Sequence, residues 1–398
     1  MPAFIVEKKA GIQVLEKSVV RKVKVLNFPM GNTMGGITRY ALTNGAFINR
    51  DLIQFDYAAI QRISNPSIFM KNGSRFYQLS CYPYENIEKF REEFNEILDE
   101  KYDVIHIHTR YWSDFLVEEI AKQRNVQKII VHAHTSEVIL NMDFQDSAYQ
   151  RKKEMLTRKH YEVRSRLTEE VATEFWTCSK EASQWLYGDK IPEDKIFLLE
   201  NSIDVSKFVY REELRNKIRK DMSIQEKFVI GHVGRFSPEK NQQFLIKVFK
   251  KLREQEDNVV FMFVGDGPTQ NTIKKMVAEY ELNKNVLFLG QCENVSELLQ
   301  VMDVFCLPSI KEGFPISLVE AQSADLSCIA SSNITKDINL LGKVKFVDLE
   351  IEQWVEEILK IKKEMAVRKD MYKEMTIKGY NIREQIRKLE KKYVKGII

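Results

Sequence analysis

Two carboxylates bracket a predicted helix start in the segment KEGFPISLVE, residues 311–320. Glu312 and Glu320 have the spacing E-x7-E, and Pro315 stands between them. Proline suits the first turn of a helix because its missing N–H would have no partner there. The sequence therefore predicts a helix that begins near Pro315, with one glutamate in the loop before it and one glutamate on it.

The first turn of this helix would form an anion site. The amides of Ile316, Ser317 and Leu318 would point out of the positive end of the helix, where a phosphate binds well. Glu312 could accept hydrogen bonds from hydroxyls but would repel a phosphate, and Glu320 lies more than a turn further along. The pattern suits a ligand with a diphosphate between two hydroxyl-rich rings. A solvated loop glutamate and a surface helix glutamate would have the same spacing.

The composition is typical of a cytosolic globular protein with two domains. The chain has 398 residues, of which 44% are apolar and 30% charged, and its net charge of +4 comes from interspersed acids and bases, which gives no indication of nucleic acid. The odd number of widely spaced cysteines indicates a reducing compartment rather than disulfides: Cys81, Cys178, Cys292, Cys306 and Cys328. We expect no signal peptide, no membrane span, and an extension of unknown role at residues 1–22.

Two stretches have the pattern that opens a parallel α/β domain. Residues 23–28 form an apolar strand, followed by a glycine-containing loop and a helical pattern over 38–48. Residues 228–233 form a second such strand, followed by the loop 234–240 and a helix over about 241–253. A short apolar strand, a glycine turn and an amphipathic helix are the repeating unit of a parallel sheet.

Strands and helices alternate after both openings. Further strands are predicted at 103–108, 128–134, 175–178, 259–264, 286–289 and 304–307. Continuous apolar strands separated by helices indicate sheets covered on both faces. The sequence therefore predicts two doubly wound halves, joined between residues 191 and 228, with the carboxyl ends of both sets of strands facing a cleft.

The segment EGFPISLVE resembles the E-x7-E signature of retaining glycosyltransferases with the GT-B fold, specifically family 4. GRFSPEKN (234–241), VGDGP (264–268) and the run 289–309 are similar to other segments of that family, in the same order. Gly35-Gly36 resembles its double-glycine loop, 201–204 its segment at the domain junction, and His134-Thr135 its amino-domain histidine. The resemblance runs from about residue 23 to the carboxyl terminus and is strongest in the second half.

The sequence departs from the family pattern at three positions. Asn241 and Ser202 stand where glycines are usual, and Pro315 replaces the glycine of the commoner E-G-F-G. These changes could alter loop geometry and donor preference, but none of them removes a charged group.

The resemblance implies a GT-B architecture. An acceptor-side domain would span 23–200, a nucleotide-sugar domain 201–379, and a last helix at about 380–398 would cross back to the first domain. The residues that would bind the donor are Gly35, Gly36, Gly234, Gly313, Phe314, Pro315, Ile316, Ser317, Leu318 and Glu320.

The resemblance also implies roles for charged residues. Arg235 and Lys240 would face the donor diphosphate, Glu312 the donor sugar, Glu320 the ribose, and His134 the sugar from the other domain. Breaking a sugar–diphosphate bond builds negative charge on the leaving group, so fixed positive charge is the expected source of catalysis. On their own, Arg235 and Lys240 would more typically be surface cations near Glu239.

The predicted function is transfer of a sugar from a nucleoside diphosphate sugar, expected to be a UDP-sugar, to a sugar hydroxyl with retention of configuration. The sequence has no D-x-D pair, so no metal or other cofactor is expected. The acceptor implied by the family is a glycan on a polyprenyl diphosphate in capsule or exopolysaccharide assembly. The alternatives are a sugar-nucleotide epimerase, a phosphorylase, or a nucleotide-binding scaffold without turnover.

Four histidines alternate on two of the predicted strands. His106 with His108, and His132 with His134, point to the same side of their strands. A zinc site is conceivable, but the sequence has neither clustered cysteines nor H-E-x-x-H to support it. His134, at the strand end, is the better candidate than His132 to face the cleft.

The segment 151–166, RKKEMLTRKHYEVRSR, is rich in bases with interleaved apolar residues. Such a run is usually a solvated helix face, and it can also lie on an anionic membrane. The second interpretation would place the protein at the inner face of the membrane through Arg151, Lys152, Lys153, Arg158 and Lys159.

Overall fold

The computed structural model describes residues 21–31, 36–60, 62–138, 140 and 147–397, together with the backbone of two strands nearer the amino terminus. Those strands, β1 (Phe4–Lys9) and β2 (Ile12–Lys17), pair antiparallel with each other. Both fall in the extension predicted for residues 1–22. Gly35 lies outside the described residues.

The first half of the chain forms a parallel sheet with helices between its strands. The strands are β3 (Val23–Phe28), β4 (Ile53–Ala59), β5 (Phe76–Gln78), β6 (Val104–Thr109), β7 (Lys128–Ala133), β8 (Glu174–Thr177) and β9 (Ile196–Leu198). The helices are α1 (Gly36–Phe47), α2 (Ile87–Leu98), α3 (Leu116–Gln123), α4 (Ser147–Ser165) and α5 (Lys180–Leu186). The spatial order of the strands is β5-β4-β3-β6-β7-β8-β9.

The second half forms another parallel sheet. Its strands are β10 (Phe228–Val233), β11 (Val259–Val264), β12 (Val286–Phe288), β13 (Val304–Leu307), β14 (Ser327–Ser331) and β15 (Val344–Val347). Its helices are α6 (Glu212–Asp221), α7 (Gln242–Arg253), α8 (Gln270–Glu279), α9 (Val295–Val301), α10 (Ile316–Ser323), α11 (Ile351–Lys363) and α12 (Tyr372–Ile377). The spatial order is β12-β11-β10-β13-β14-β15.

Each sheet reverses its strand order beside its opening strand. β3 lies between β4 and β6, and β10 lies between β11 and β13. Loops that leave two such neighbouring strands in opposite directions open a crevice at the carboxyl edge of the sheet, which is where ligands bind in folds of this kind. The loops after β10 and β13 therefore border one crevice in the second half.

The last helix, α13 (Ile382–Val394), returns to the first half of the chain. The apolar side chains of α13 belong to the same core cluster as Val25, Phe55 and Trp176 of the first sheet. The chain crosses between the halves at Ile203 and again at Asn381, and these two residues form a parallel bridge. The predicted return of the last helix to the first domain is confirmed.

Among the described residues, no helix combines the length and the apolar character needed to cross a bilayer.

Candidate active site

The loops after β10 and β13 are joined by hydrogen bonds. The amide of Ile310 donates to the carbonyl of Glu239 at 2.8 Å, and Asn241 Nδ2 donates to the carbonyl of Pro308 at 3.3 Å. These bonds hold together the segment that contains Lys240 and the segment that contains Glu312. Two predicted site residues that are distant in sequence therefore share one crevice.

Lys240 and Glu312 form an ion pair there. Lys240 Nζ lies 2.5 Å from Glu312 Oε1, and both side chains are largely buried. Ser309 Oγ donates to the same carboxylate oxygen at 2.7 Å. Arg235, the other predicted cation, is exposed at the start of the same loop, and its carbonyl accepts a hydrogen bond from Gln242 Nε2 at 2.7 Å. The crevice therefore holds positive charge beside a carboxylate that is fixed in position.

Glycines allow two of the loops around this crevice to lie in direct contact. Gly265 has φ +136, and a Cβ there would lie 2.0 Å from the carbonyl oxygen of Gly234. A Cβ at Gly267 would lie 2.2 Å from the carbonyl oxygen of Phe236. The loop after β11 can therefore pack against the loop after β10 only because both positions lack a side chain.

His232 lies in β10, just before the loop that contains Lys240. It is completely buried at the end of β10, where burial lowers its pKa to about 4. Its Nδ1 lies 2.9 Å from the Cys306 carbonyl, and its Nε2 lies 3.2 Å from Gln242 Nε2. A neutral imidazole that donates from Nδ1 and accepts at Nε2 satisfies both contacts. His232 was not predicted from the sequence, although its place two residues before Gly234 was a usable signal.

Asn241 explains one departure from the family pattern. It adopts a left-handed conformation, φ 55 and ψ 38, at the start of α7. Glycine enters this region without steric cost, and asparagine is one of the few other residues that tolerate it. The position therefore keeps the same backbone geometry with asparagine in place of glycine.

The helix predicted near Pro315 is α10, and Pro315 is its N-cap. The amides of Ile316 and Ser317 make no hydrogen bond with any described residue. The prediction that Leu318 also offers a free amide is wrong, because that amide donates to the Pro315 carbonyl at 3.0 Å. A tight first turn thus satisfies the third amide internally, and two amides are left to face an anion, beside Gly313 and Phe314.

Glu320 is paired with a residue of the first domain. Its side chain is buried and forms an ion pair with Arg39 of α1. Burial raises the pKa of Glu320, while the nearby guanidinium opposes that shift. Arg39 was not predicted as a site residue from the sequence. Its position in the first turn of the helix after Gly35-Gly36 is the signal that could have identified it. Gly36 begins α1, and a Cβ built on it would meet no atom within 4 Å.

The four predicted histidines form one cluster on the first sheet. His106 Nε2 lies 3.0 Å from His132 Nδ1, and His108 Nδ1 lies 2.9 Å from His134 Nε2. His134 is only partly buried and follows the end of β7, whereas His132 is completely buried. Burial lowers the pKa of all four imidazoles, to about 3 for His134.

Three of these histidines lie close enough together to be candidate ligands of one metal ion. Ring nitrogens of His106, His108 and His132 all lie within 4.8 Å of one another. Nitrogen pairs at hydrogen-bonding distance already use several of these atoms, and a zinc ion would have to replace each shared proton. The hydrogen-bonded arrangement fits neutral imidazoles, and the absence of a metal stays a prediction.

The basic segment forms the helix α4. Arg151, Lys152, Arg158 and Lys159 are exposed on it. Lys153 differs, because its Nζ is paired with Glu137 Oε2 at 2.6 Å and is only 29% exposed. The predicted surface therefore consists of four bases, and Lys153 instead ties α4 to the loop that contains Glu137.

The two facing parallel α/β domains, with the last helix packed on the first, define a GT-B fold, as predicted. The Anabaena protein Alr3699/HepE in complex with UDP and glucose shares this fold with a TM-score of 0.67. The sequences are 15% identical, and the match covers 94% of this chain and 95% of that one.

One protein-family model matches part of the chain, within its second half. Residues 212–378 match the family model described as Glycosyl transferases group 1, and that segment contains Lys240, Glu312 and Glu320.

Two relatives match almost the whole chain. The putative glycosyltransferase EpsF of Bacillus subtilis is 27% identical over 91% of this chain and 94% of its own length. The UDP-Gal:alpha-D-GlcNAc-diphosphoundecaprenol alpha-1,3-galactosyltransferase of Escherichia coli is 26% identical over 96% of this chain and 99% of its own.

Proposed function

We propose that this protein is a retaining glycosyltransferase of family 4 that transfers a sugar from a UDP-sugar to a sugar hydroxyl of a glycan acceptor. The observation that carries the proposal is the crevice in the second domain, where Lys240 and Glu312 lie beside the first turn of α10. The names of the two long relatives support glycosyl transfer, and one of them names a UDP-sugar donor and a lipid diphosphate acceptor.

The diphosphate of the donor would bind between Lys240 and the amides of Ile316 and Ser317. Arg235 would reach the same phosphates from the start of the loop that contains Lys240, and its planar guanidinium suits two phosphate oxygens at once. Positive charge that is already in place stabilises the leaving group as the sugar–phosphate bond breaks. In this proposal these cations, rather than an acid, carry the charge of the departing diphosphate.

Glu312 and Glu320 would hold the two ends of the donor. Glu312, fixed by Lys240 and Ser309, would accept hydrogen bonds from sugar hydroxyls, and Glu320 would accept from the ribose once Arg39 makes room. The bond between the anomeric carbon and the phosphate oxygen breaks, and a bond to the acceptor oxygen forms on the same face. The acceptor proton passes to an oxygen of the departing diphosphate, so no carboxylate nucleophile is required.

The proposed reaction needs no metal, since Lys240, Arg235 and α10 supply the positive charge. Activity should therefore survive EDTA, and added Mg²⁺ or Mn²⁺ should change the rate only within about twofold. Activity that EDTA abolishes and Mg²⁺ restores would contradict this part of the proposal.

The acceptor is proposed to be a glycan on a polyprenyl diphosphate, which would keep the enzyme at the inner face of a membrane. The exposed bases of α4 would attract the anionic lipid surface there. Capsule or exopolysaccharide assembly is the proposed context.

The decisive experiment is a panel of UDP-, GDP- and ADP-sugars, measured first by thermal stabilisation and then by transfer to a lipid-linked acceptor. Lys240→Ala should lower the transfer rate about 100-fold or more, whereas Lys247→Ala, on the exposed face of α7, should leave it unchanged. Turnover of the donor without acceptor would indicate an epimerase, and dependence on inorganic phosphate a phosphorylase. Binding without any turnover would indicate a scaffold.

A further inference from the structure

A chain of hydrogen bonds runs from β4 through the sheet to His134. Asn27 Nδ2 lies 3.4 Å from the Asp56 carbonyl, and Asn27 Oδ1 lies 3.3 Å from His108 Nε2. His108 Nδ1 lies 2.9 Å from His134 Nε2. Asn27 and His108 are buried, so water does not compete for these contacts.

The direction of each bond follows from the chemistry of its two ends. A backbone carbonyl only accepts, so the Asn27 group that faces Asp56 is the NH₂, and its oxygen faces His108. That oxygen also only accepts, so His108 carries its proton on Nε2. A neutral imidazole has one N–H, so His108 Nδ1 is bare and accepts from His134 Nε2.

The imidazole rings of His108 and His134 are neutral, as this chain of hydrogen bonds requires. Burial holds the pKa of His108 well below its usual range and lowers that of His134 to about 3. His134 then has its only proton on Nε2. Its Nδ1 makes no hydrogen bond with any described residue, and the side chain is only partly buried.

We propose that Asn27 and His108 are positioning residues that fix the proton of His134 on Nε2, so that its Nδ1 is offered to the ligand as a bare hydrogen-bond acceptor. The identity of that ligand as a sugar rests on the proposed function. The proton arrangement does not, because it follows from the ligand-free protein alone.

The arrangement restricts what His134 can recognise. A bare imidazole nitrogen accepts a hydrogen bond from a hydroxyl or an N–H and is repelled by a carboxylate or phosphate oxygen. The sugar that contacts His134 should therefore present a hydroxyl at this position. A sugar with a carboxylate there, as in a uronic acid, should be rejected.

The second pair of histidines provides an internal control. Tyr393 Oη lies 2.6 Å from His106 Nδ1, and His106 Nε2 lies 3.0 Å from His132 Nδ1. His132 Nε2 is buried and has no hydrogen-bond partner among the described residues. Neither end of this pair has a partner whose donor or acceptor role is fixed. Its rings lie against the other pair, with ring centroids 4.3 Å apart for His106 and His108 and 4.0 Å apart for His132 and His134. Tyr393→Phe therefore perturbs His106 without removing a hydrogen bond from the chain that ends at His134.

The test is a nitrogen NMR measurement on the ligand-free protein labelled with ¹⁵N-histidine, with the His134 signals assigned through His134→Gln. Protonated and bare ring nitrogens have widely separated shifts. We expect a proton on His134 Nε2 and a bare Nδ1. A proton on Nδ1, or exchange between the two tautomers, would overturn the proposal, and this measurement needs no variant of Asn27 to fold.

Variants then test whether Asn27 is what fixes the tautomer of His134. Asn27→Leu should release His134 into a mixture of tautomers, and Tyr393→Phe should leave its proton on Nε2. With a UDP-sugar from the panel, Asn27→Leu should lower kcat/KM about five- to tenfold, the effect of one hydrogen bond. Unchanged His134 signals in Asn27→Leu would overturn the role of Asn27. A protein with the expected tautomer but no transferase activity would contradict the proposed function and leave this inference standing.

Discussion

Arg39 and Glu320 lie 281 residues apart in the sequence and form an ion pair across the cleft. The glutamate is buried in the second domain, whereas the arginine, on α1 of the first domain, is 48% exposed. A buried carboxylate needs a partner because the protein interior solvates charge poorly. The first domain therefore supplies the counter-charge for a residue that we propose binds the ribose.

Removing this counter-charge should make stability depend more strongly on pH. Burial raises the pKa of Glu320, so the folded protein binds this proton more tightly than the unfolded chain does. The folded protein therefore loses stability as the pH rises above the pKa that Glu320 has in the unfolded chain. Arg39→Met would raise the pKa of Glu320 further. We expect the variant to lose more stability, relative to the original protein, at about pH 8 than at about pH 5 in thermal unfolding.

Arg387→Met is the matched control. Arg387 pairs with Glu384, and their side chains are 70% and 46% exposed, so this change should have a small effect that is the same at both pH values. A loss in Arg39→Met that does not change between the two pH values would show that Glu320 does not depend on Arg39 for its charge.

Glu312→Gln should impair transfer without unfolding the protein. The change keeps the shape of the side chain but removes the charge that pairs with Lys240 and accepts from Ser309. We expect kcat/KM for transfer to fall more than about tenfold, because both Lys240 and the donor sugar lose a fixed partner. Glu356→Gln, on the exposed face of α11, is the control. Equal rates in the two variants would remove Glu312 from the site.

Asn241 allows a test of the left-handed position at the start of α7. Asn241→Gly removes the Cβ and keeps the left-handed conformation accessible, whereas Asn241→Ala keeps the Cβ but loses the polar side chain that makes this region tolerable, at a cost of about 1 kcal/mol. Both variants lose the hydrogen bond to Pro308, so the difference between their stabilities isolates the contribution of the backbone conformation. We expect the alanine variant to be the less stable of the two in thermal or denaturant unfolding. Equal stability would mean that the backbone relaxes out of the left-handed region.

The exposed bases of α4 should control binding to anionic lipid. Each is worth about 1 kcal/mol near such a surface, so neutralising four of them should weaken binding to anionic vesicles far more than tenfold. The four substituted residues are Arg151, Lys152, Arg158 and Lys159. Sedimentation with vesicles of anionic and of neutral lipid measures the effect.

The control carries the same change in charge on the other domain. Its four substituted residues, all exposed, are Lys360, Lys363, Lys373 and Lys378. Equal losses in the two variants would mean that net charge, rather than α4, drives any binding.

The fold was predictable where strands are continuous and apolar. The strands predicted at 23–28, 228–233, 259–264 and 304–307 have those bounds in the structure, because each is buried in a sheet covered on both faces. Short strands such as β5 and β9, of mixed composition and at the edges of their sheet, were not predicted. Their pairing depends on neighbours that are distant in sequence.

The site was predictable only in part, for a related reason. Local motifs located Lys240 and Glu312, since each follows a recognisable strand. The partner of Glu320 could not be found that way, because it depends on how the two domains face each other. The internal bond of the Leu318 amide, which reduced the anion site to two amides, depends on the tightness of a single turn, and no residue pattern specifies that.

The return of α13 to the first domain has a consequence for how the chain is made. The two core clusters of the second domain draw only on residues between Ile203 and Tyr380, so that domain can complete its core before the last helix leaves the ribosome. The first domain is synthesised earlier, but one of its cores includes Leu389 and Tyr393. That core therefore keeps an open apolar face until α13 has been synthesised. The half of the protein that is made first is the half that finishes folding last.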